Sequence, residues 1–129
     1  MDFKTLTSNL LRQSDIRQEL KRLIGKEVTV YIDRPLGVKH PKFPDIIYPV
    51  NYGYIKEIKA ADNEYQDVYI IGTDEPLKIC IGKVYAIVIR ENDIEDKLIV
   101  VTNDKEYNID EIEKYINFQE KYFKHKIIK

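Results

Sequence analysis

The sequence predicts an α+β protein, mainly β, built as a small closed or nearly closed β-barrel with packed helices. Two observations point to this fold class. About five short runs rich in β-branched and aromatic residues are separated by turn signals. One amphipathic helical pattern precedes these runs and another follows them. Short strands with flanking helices of this kind are typical of small barrels whose outer surface carries packed helices.

Composition limits the class of protein further. The 129 residues fit a single domain, 1–129, and 43% hydrophobic with 33% charged residues is typical of a globular chain. A net charge of −1 argues against a strongly basic nucleic-acid binder. Cys80 is the only cysteine, so no internal disulfide forms. We see no signal peptide, and apolar runs such as 85–89 are too short to span a bilayer. We therefore expect a cytoplasmic protein without nucleic-acid or membrane partners.

The first helix is predicted over residues 15–24. Ser14 is a suitable N-cap, apolar residues follow at helical spacing, and Gly25 stands where a C-terminal glycine belongs. Residues 1–13 carry no clear signal beyond a short helical turn. We expect this helix to pack against the barrel.

The strands alternate with charged connections. The segment 33–45 contains Pro35, Pro41 and Pro44, so we expect an extended loop. A long, charged, proline-stiffened loop in a compact domain is more often functional than accidental. The predicted strands cover residues 27–32, 46–55, 68–72, 83–90 and 97–102.

The second helix is predicted over residues 111–124. Asp110 and Glu113 have the spacing of a capping box. Ile112, Ile116 and Phe123 then line one face of the helix. This face is expected to cover part of the barrel.

An acidic cluster follows the second strand. Asp62 and Glu64 point to one side of an extended segment, and a turn would bring Asp67 beside them. Close carboxylates repel unless a cation or protons compensate. Mg²⁺ suits such a site because it prefers oxygen ligands and keeps water and substrate phosphates in its shell. The competing interpretation is an acidic loop that is simply solvated.

A second acidic group, Asp93, Glu95 and Asp96, lies just before Lys97. Alone it is a routine charged turn, and it gains meaning only if the strand order brings it beside the first cluster. Cations next to metal-bound phosphate would neutralise its charge. The candidate cations are Arg34, Lys39, His40, Lys97 and Lys124.

Two motifs lie close together in the chain: the run YPVNYGYI at 48–55, and the acidic run from Asp62 to Val68. Together they resemble the family I soluble inorganic pyrophosphatases. The run YPVNYGYI at 48–55 matches that family's Tyr-Pro-x-Asn-Tyr-Gly-Tyr-Ile. Asp62-x-Glu64-x-x-Asp67-Val68 follows where the family has Asp-Gly-Asp-Pro-x-Asp-Val. The likeness covers roughly residues 28–124 and implies a compact, divergent bacterial branch. It also implies a five-stranded OB-like barrel and Mg²⁺-dependent hydrolysis of pyrophosphate.

The resemblance implies roles for individual residues. Asp62 and Asp67 would be metal ligands, joined by Glu95 and Asp93 from the second acidic group. Glu64 would position the attacking water, and Tyr52 and Asp67 would take part in catalysis beside it. The phosphate-binding residues would be Arg34, Lys39, Lys97, Tyr122 and Lys124.

This chain also departs from the family pattern. Glu64 and Glu95 replace aspartates, and Tyr65 replaces a proline. The family's Lys-x-Glu near the first strand is missing, and Lys124 lies one residue further from Tyr122. Two alternatives therefore stay open: a hydrolase of a larger, nucleotide-linked phosphoanhydride, and a non-catalytic OB-like binding protein. A homo-oligomer is compatible with either.

Overall fold

The protein is described here by a computed structural model, which gives the backbone of residues 3–129 and the side chains of residues 12–129. Two helices and six strands make up the described chain. Neither helix is long and apolar enough to cross a membrane, within the part of the chain described. In chain order, the elements are α1 (Phe3–Arg22), β1 (Glu27–Arg34), β2 (Asn51–Lys59), β3 (Tyr65–Ile71), β4 (Ile79–Arg90), β5 (Lys97–Val101), α2 (Ile109–Glu120) and β6 (His125–Ile128).

The first five strands form a closed ring, which confirms the predicted barrel. Their order in the sheet is β1-β2-β3-β5-β4, and β4 pairs back onto β1 to close it. All of these pairs are antiparallel except β3 with β5, which run parallel. The short strand β6 was not predicted. It pairs antiparallel with residues 87–90 of β4, on the edge of β4 that faces away from β5.

Side-chain alternation divides the core into two layers. Val30, Val68, Ile87 and Leu98 belong to an inner cluster that draws on all five barrel strands. Leu20 of α1 is fully buried in the same cluster, so α1 closes one end of the barrel. Residues of opposite parity on the strands form an outer cluster, which the buried side chains of α2 cover.

The predicted start of the first helix is wrong. Ser14 lies inside α1, which begins at Phe3. Residues 3–13 contain neither glycine nor proline, so nothing in the backbone stops the helix before Ser14. The predicted end at residue 24 is two residues late, because α1 ends at Arg22. Gly25 lies in the turn that follows, with φ +91°, in the region that favours glycine.

The capping box of the second helix was placed two residues too late. Asn108 Oδ1 accepts the Glu111 N–H at 2.8 Å, and Glu111 Oε1 accepts the Asn108 N–H at 3.1 Å. Asn108 has the same spacing to Glu111 as Asp110 has to Glu113, and asparagine caps helices as well as aspartate does. The helix also ends at Glu120 rather than at residue 124.

The segment 33–50 is more ordered than predicted. Residues 46–50 precede β2 instead of belonging to it. The Tyr48 N–H donates to Val38 O at 2.9 Å and the His40 N–H to Ile46 O at 2.8 Å, so the loop folds back on itself. Asn51 anchors this loop, because its Oδ1 accepts the backbone N–H of Leu36 and its Nδ2 donates to Glu75 O.

Candidate active site

The period of two along the strands places the predicted site residues on one face. Asp67 shares its parity with Tyr69 of the outer cluster, and Lys97 shares its parity with Ile99. Val68 pairs with Leu98 across the parallel β3–β5 ladder, so Asp67, the third residue of β3, lies beside Lys97, the first residue of β5. The sequence therefore brings a carboxylate and an ammonium together on the outer face of the barrel.

Lys97 is the centre of this group. The side chain is buried, with the residue only 3% exposed, and its Nζ donates to Asp67 Oδ2 at 2.6 Å and to Glu95 Oε2 at 3.0 Å. Burial alone would lower the pKa of Lys97, but Tyr52, Asp67 and Glu95 raise it above its ordinary value. The amine is therefore charged throughout the physiological pH range.

Asp62 and Glu95 form a carboxyl pair beside this ammonium. Burial, followed by the hydrogen bond to Asp62, raises the pKa of Glu95 to about 7, although Lys97 opposes the shift. Burial would raise the pKa of Asp62, but the hydrogen bonds from Glu95 and from the Glu64 backbone lower it overall. The two carboxyls are thus close enough to share one proton. We call Asp62, Asp67, Glu95 and Lys97 the Lys97 cluster.

Three further carboxylates, those of Glu64, Asp93 and Asp33, lie outside the Lys97 cluster and have different surroundings. Glu64 is exposed and contributes its backbone N–H to Asp62 Oδ1 at 3.0 Å. Asp93 Oδ2 accepts from Arg90 at 3.0 Å, so this carboxylate faces a different cation. Asp33 was not among the predicted ligands. Burial raises its pKa; nearby Asp67 raises it further and Arg34 opposes the shift, so Asp33 extends the acidic face.

Tyr52 closes the cluster on the barrel side. The Lys97 Nζ lies 5.9 Å from the centre of its buried ring. Burial raises the pKa of Tyr52 well above its ordinary value, and Lys97 only partly offsets this. The side chain is therefore a neutral phenol at physiological pH and is able to donate a hydrogen bond.

A cavity of about 520 Å³ opens next to Lys97. Two segments form most of its wall: the loop before β2 and the end of α2 with the turn that follows. The lining is mostly apolar, and we call it the aromatic cavity. It is lined by His40, Lys42, Phe43, Ile46, Arg90, Lys97, Phe118, Gln119, Tyr122 and Phe123.

The predicted phosphate-binding residues are spread around this cavity. Lys97 and Tyr122 line it. Arg34 Nη1 donates to the Tyr48 hydroxyl at 2.6 Å, Lys39 is exposed on the loop, and Lys124 lies 3.5 Å from Glu91 on the surface. The structure thus brings two of the five into the cavity wall.

The His40 ring is fixed in the cavity wall by stacking on Tyr48 and by hydrogen bonds to the backbone. Its plane lies 6° from that of Tyr48, with the ring centres 5.9 Å apart. His40 Nδ1 accepts backbone N–H groups from Lys42 and Phe43, so in the neutral ring the proton resides on Nε2. Burial, aided by Arg34 and Lys42, lowers the pKa of His40, and the ring is therefore a neutral donor.

A buried ion pair beneath the cavity was not foreseen. Arg90 donates to both Glu120 oxygens, at 3.0 and 2.6 Å, and Glu120 is fully buried. The Tyr69 hydroxyl donates to Glu120 at 2.6 Å and accepts from Gln119 at 2.8 Å. The pairing joins positions 30 residues apart, and neither residue carries a local motif that predicts it.

The acidic residues carry donors of the kind that a divalent cation prefers. Within the described residues, no group of three or more His, Cys, Asp or Glu side chains is arranged to hold a metal ion as it stands. The chemistry of the donors nevertheless fits, because Asp62, Asp67 and Glu95 supply hard carboxylate oxygens around a single ammonium. The three carboxyl groups outnumber the single ammonium, so a bound divalent cation would compensate the remaining negative charge.

The fold and the Lys97 cluster together define a barrel protein with an acidic site around a buried ammonium, at the edge of a cavity. The family model described as inorganic pyrophosphatase matches residues 12–127. The chain belongs to the inorganic pyrophosphatase family, and this membership supports hydrolysis of inorganic pyrophosphate and implies a divalent metal cofactor. No curated protein matches the chain.

Solved structures give the same fold. An inorganic pyrophosphatase from Ehrlichia chaffeensis superposes with a TM-score of 0.61 at 16% identity, covering 80% of this chain and 85% of that one. The inorganic pyrophosphatase from Coxiella burnetii superposes with a TM-score of 0.59 at 16% identity, covering 81% of this chain and 84% of that one. One from Neisseria gonorrhoeae gives 0.54 at 20%, covering 73% and 72%. At these identities the likeness confirms the OB-like barrel alone.

Proposed function

We propose that this protein hydrolyses inorganic pyrophosphate to two phosphates at the Lys97 cluster, with Mg²⁺ as its cofactor. The observation that carries the proposal is the buried Lys97, held between Asp67 and Glu95 at the edge of a cavity. Family membership over residues 12–127 supports the same reaction. In it, a water oxygen bonds to one phosphorus while the bond from that phosphorus to the bridging oxygen breaks.

Asp62, Asp67 and Glu95 would hold the metal. A bound divalent cation supplies a water of lowered pKa and neutralises charge on the phosphates. Glu64, one residue beyond the chain's bend at Asn63, would act on the attacking water after its exposed side chain turns inward. Asp93 would act as a further ligand only by leaving Arg90.

Lys97 and Tyr52 would act on the substrate directly. The ammonium stays charged and lines the cavity, so it would bind a phosphate oxygen of the substrate. The neutral Tyr52 phenol would donate to the same phosphate or to the attacking water. Arg34, Lys39, Tyr122 and Lys124 would surround the second phosphate.

Phosphate release from pyrophosphate tests the proposal. The parent protein is assayed with Mg²⁺, beside Asp67→Asn and the matched control Asp45→Asn, which changes an exposed loop carboxylate. We expect Asp67→Asn to lower the rate of phosphate release at least about 100-fold. Mutation of residues that only hydrogen-bond to metal ligands already lowers activity by about 10–100-fold. A folded parent that releases no phosphate, or an Asp45→Asn loss equal to that of Asp67→Asn, would contradict the proposal.

The proposal extends to the domain organisation, the cellular location and the partners of the protein. We propose one domain over residues 1–129 that acts in the cytoplasm on free pyrophosphate, without nucleic-acid or membrane partners. Light scattering after size-exclusion chromatography, at several protein concentrations, determines whether it forms a homo-oligomer.

A further inference from the structure

The aromatic cavity is larger and less polar than pyrophosphate needs. At about 520 Å³ it falls in the range of pockets that bury most of an organic ligand of drug size, roughly 300–1,000 Å³. Pyrophosphate has no carbon atoms, so an apolar wall offers it no favourable contact. The lining therefore matches something attached to a phosphate rather than the phosphate itself.

Exposed aromatic side chains are concentrated in this wall. Phe43 is 59% exposed and Tyr122 is 63% exposed, and both line the cavity from different elements. Large apolar side chains left in solvent around a concave site mark a ligand or partner surface. Phe118 and Phe123 extend the same lining deeper, so the apolar surface is continuous with Lys97.

The charges in the wall are unevenly distributed. The Arg90 guanidinium donates three hydrogen bonds to Glu120 and Asp93, and it stacks on Phe123 at 3.7 Å from the ring centre, so its charge is already paired with carboxylates. Lys97 lies at one end, beside the carboxylates of its cluster. Lys42 is a further cation of the wall and lies on the exposed loop. Phosphate chemistry thus belongs beside the buried Lys97, and five of the other lining residues are rings: His40, Phe43, Phe118, Tyr122 and Phe123.

We propose that the aromatic cavity binds the base of a nucleoside diphosphate whose phosphates lie at the Lys97 cluster. Rings, rather than aliphatic side chains, dominate the lining, and aromatic side chains stack on the faces of bases. His40 adds a ring nitrogen donor, Nε2, for a base or ribose acceptor. The inference rests on the proposed function for the position of the phosphates.

The reaction follows the same course as with pyrophosphate. A water oxygen forms a bond to the terminal phosphorus, and the bond between that phosphorus and the bridging oxygen breaks. The bridging electron pair leaves with the nucleoside monophosphate, orthophosphate is released, and the proton from water passes to solvent.

Binding and turnover are measured in parallel with ADP, geranyl diphosphate and pyrophosphate, all with Mg²⁺. Calorimetric titration gives Kd and phosphate release gives kcat/KM, for the parent, Phe43→Ala and the control Tyr115→Ala. Tyr115 is 40% exposed and lies outside the aromatic cavity. We expect Phe43→Ala to raise the Kd for ADP at least about tenfold more than the Kd for pyrophosphate, because the variant loses one stacking contact with the base. Tyr115→Ala is expected to change neither.

The outcomes separate this inference from the proposed function. Pyrophosphate cleavage without ADP binding overturns the inference and leaves the function standing. ADP binding that depends on Phe43, without cleavage of either substrate, supports the cavity assignment while the proposed function fails. Equal effects of Phe43→Ala on ADP and geranyl diphosphate overturn the assignment to a base.

Discussion

Lys97 shows how a single residue depends on the whole site. An ammonium with so little solvent contact persists only when carboxylates compensate its charge, and two of them bind it directly. The same two carboxylates are proposed metal ligands. Asp67 and Glu95 would therefore have two roles: they compensate the charge of Lys97, and they would hold the metal beside it.

Glu120 is the residue on which the buried network depends. The Glu120→Gln variant keeps the shape of the side chain but removes the charge that balances the buried Arg90. Breaking a buried pair typically costs about 3–5 kcal/mol, so we expect a loss of that size in the free energy of unfolding. Urea denaturation measures it, with Glu106→Gln, at an exposed loop position, as control. An unchanged urea midpoint for Glu120→Gln would contradict this.

Gly53 is required by the close approach of two strands. A Cβ at this position would collide with the Tyr31 carbonyl oxygen and lie 2.9 Å from Ile32 Cα, both backbone atoms of β1. We expect Gly53→Ala to lower the free energy of unfolding by about 3 kcal/mol or more, because the barrel holds the strand in place. The comparison is Gly37→Ala, where φ is +93° but space is open, and where about 1–2 kcal/mol is expected. Equal midpoints for both variants would count against the steric explanation.

At the scale of elements, one histidine joins α2 to β6. His125 Nε2 lies 2.8 Å from Glu113 Oε1, and Nδ1 lies 2.9 Å from Phe123 O. Both partners are acceptors, so the ring serves both only when each nitrogen carries a proton. Burial lowers the pKa of His125, but the bonds to Phe123 and Glu113 outweigh it and raise the pKa overall.

This contact makes stability depend on pH. Because the folded pKa of His125 lies above its ordinary value of 6.5, its contribution is full below that pH and is lost as pH rises through the folded pKa. His40, whose pKa is lowered, changes stability in the opposite direction. We expect the difference in unfolding free energy between the parent and His125→Gln to shrink as pH rises above 6.5. A difference that grows with pH would refute the charged pair.

Sequence patterns predicted the elements that repeat a period and missed those set by tertiary contacts. The alternating strands and the second helix were predicted, whereas the meeting of Asp67 and Lys97 depended on a strand order that the sequence left open. Ser14 and Asp110 each matched a cap, but nothing local distinguishes a cap from a polar residue within or beside a helix. The tail HKII of β6 is too short for a periodic signal, and the Arg90–Glu120 pair exists only because β4 and α2 pack together.

At the scale of the whole molecule, metal binding is expected to stabilise the fold. A ligand bound by the folded protein alone raises the free energy of unfolding by about 2.7 kcal/mol at 100 times its Kd. Thermal unfolding is followed over a titration of MgCl₂ for the parent, Asp67→Asn and Asp45→Asn. We expect Tm to rise with concentration in the parent and in Asp45→Asn, and to rise much less in Asp67→Asn. Equal rises in all three would show that the Lys97 cluster is not where the metal binds.

The order of the elements along the chain has a consequence for biosynthesis. All five barrel strands lie before residue 102, whereas α2 and β6 follow from residue 109 onward. During synthesis the residues of all five barrel strands, Asp67 and Lys97 among them, are therefore made before the helix that covers the outer face. Glu120 emerges later and neutralises Arg90, and the same stretch supplies Phe118, Tyr122 and Phe123. Synthesis thus delivers the loop half of the cavity wall first, then the residues of the Lys97 cluster, and last the α2 half of the wall that would select a substrate.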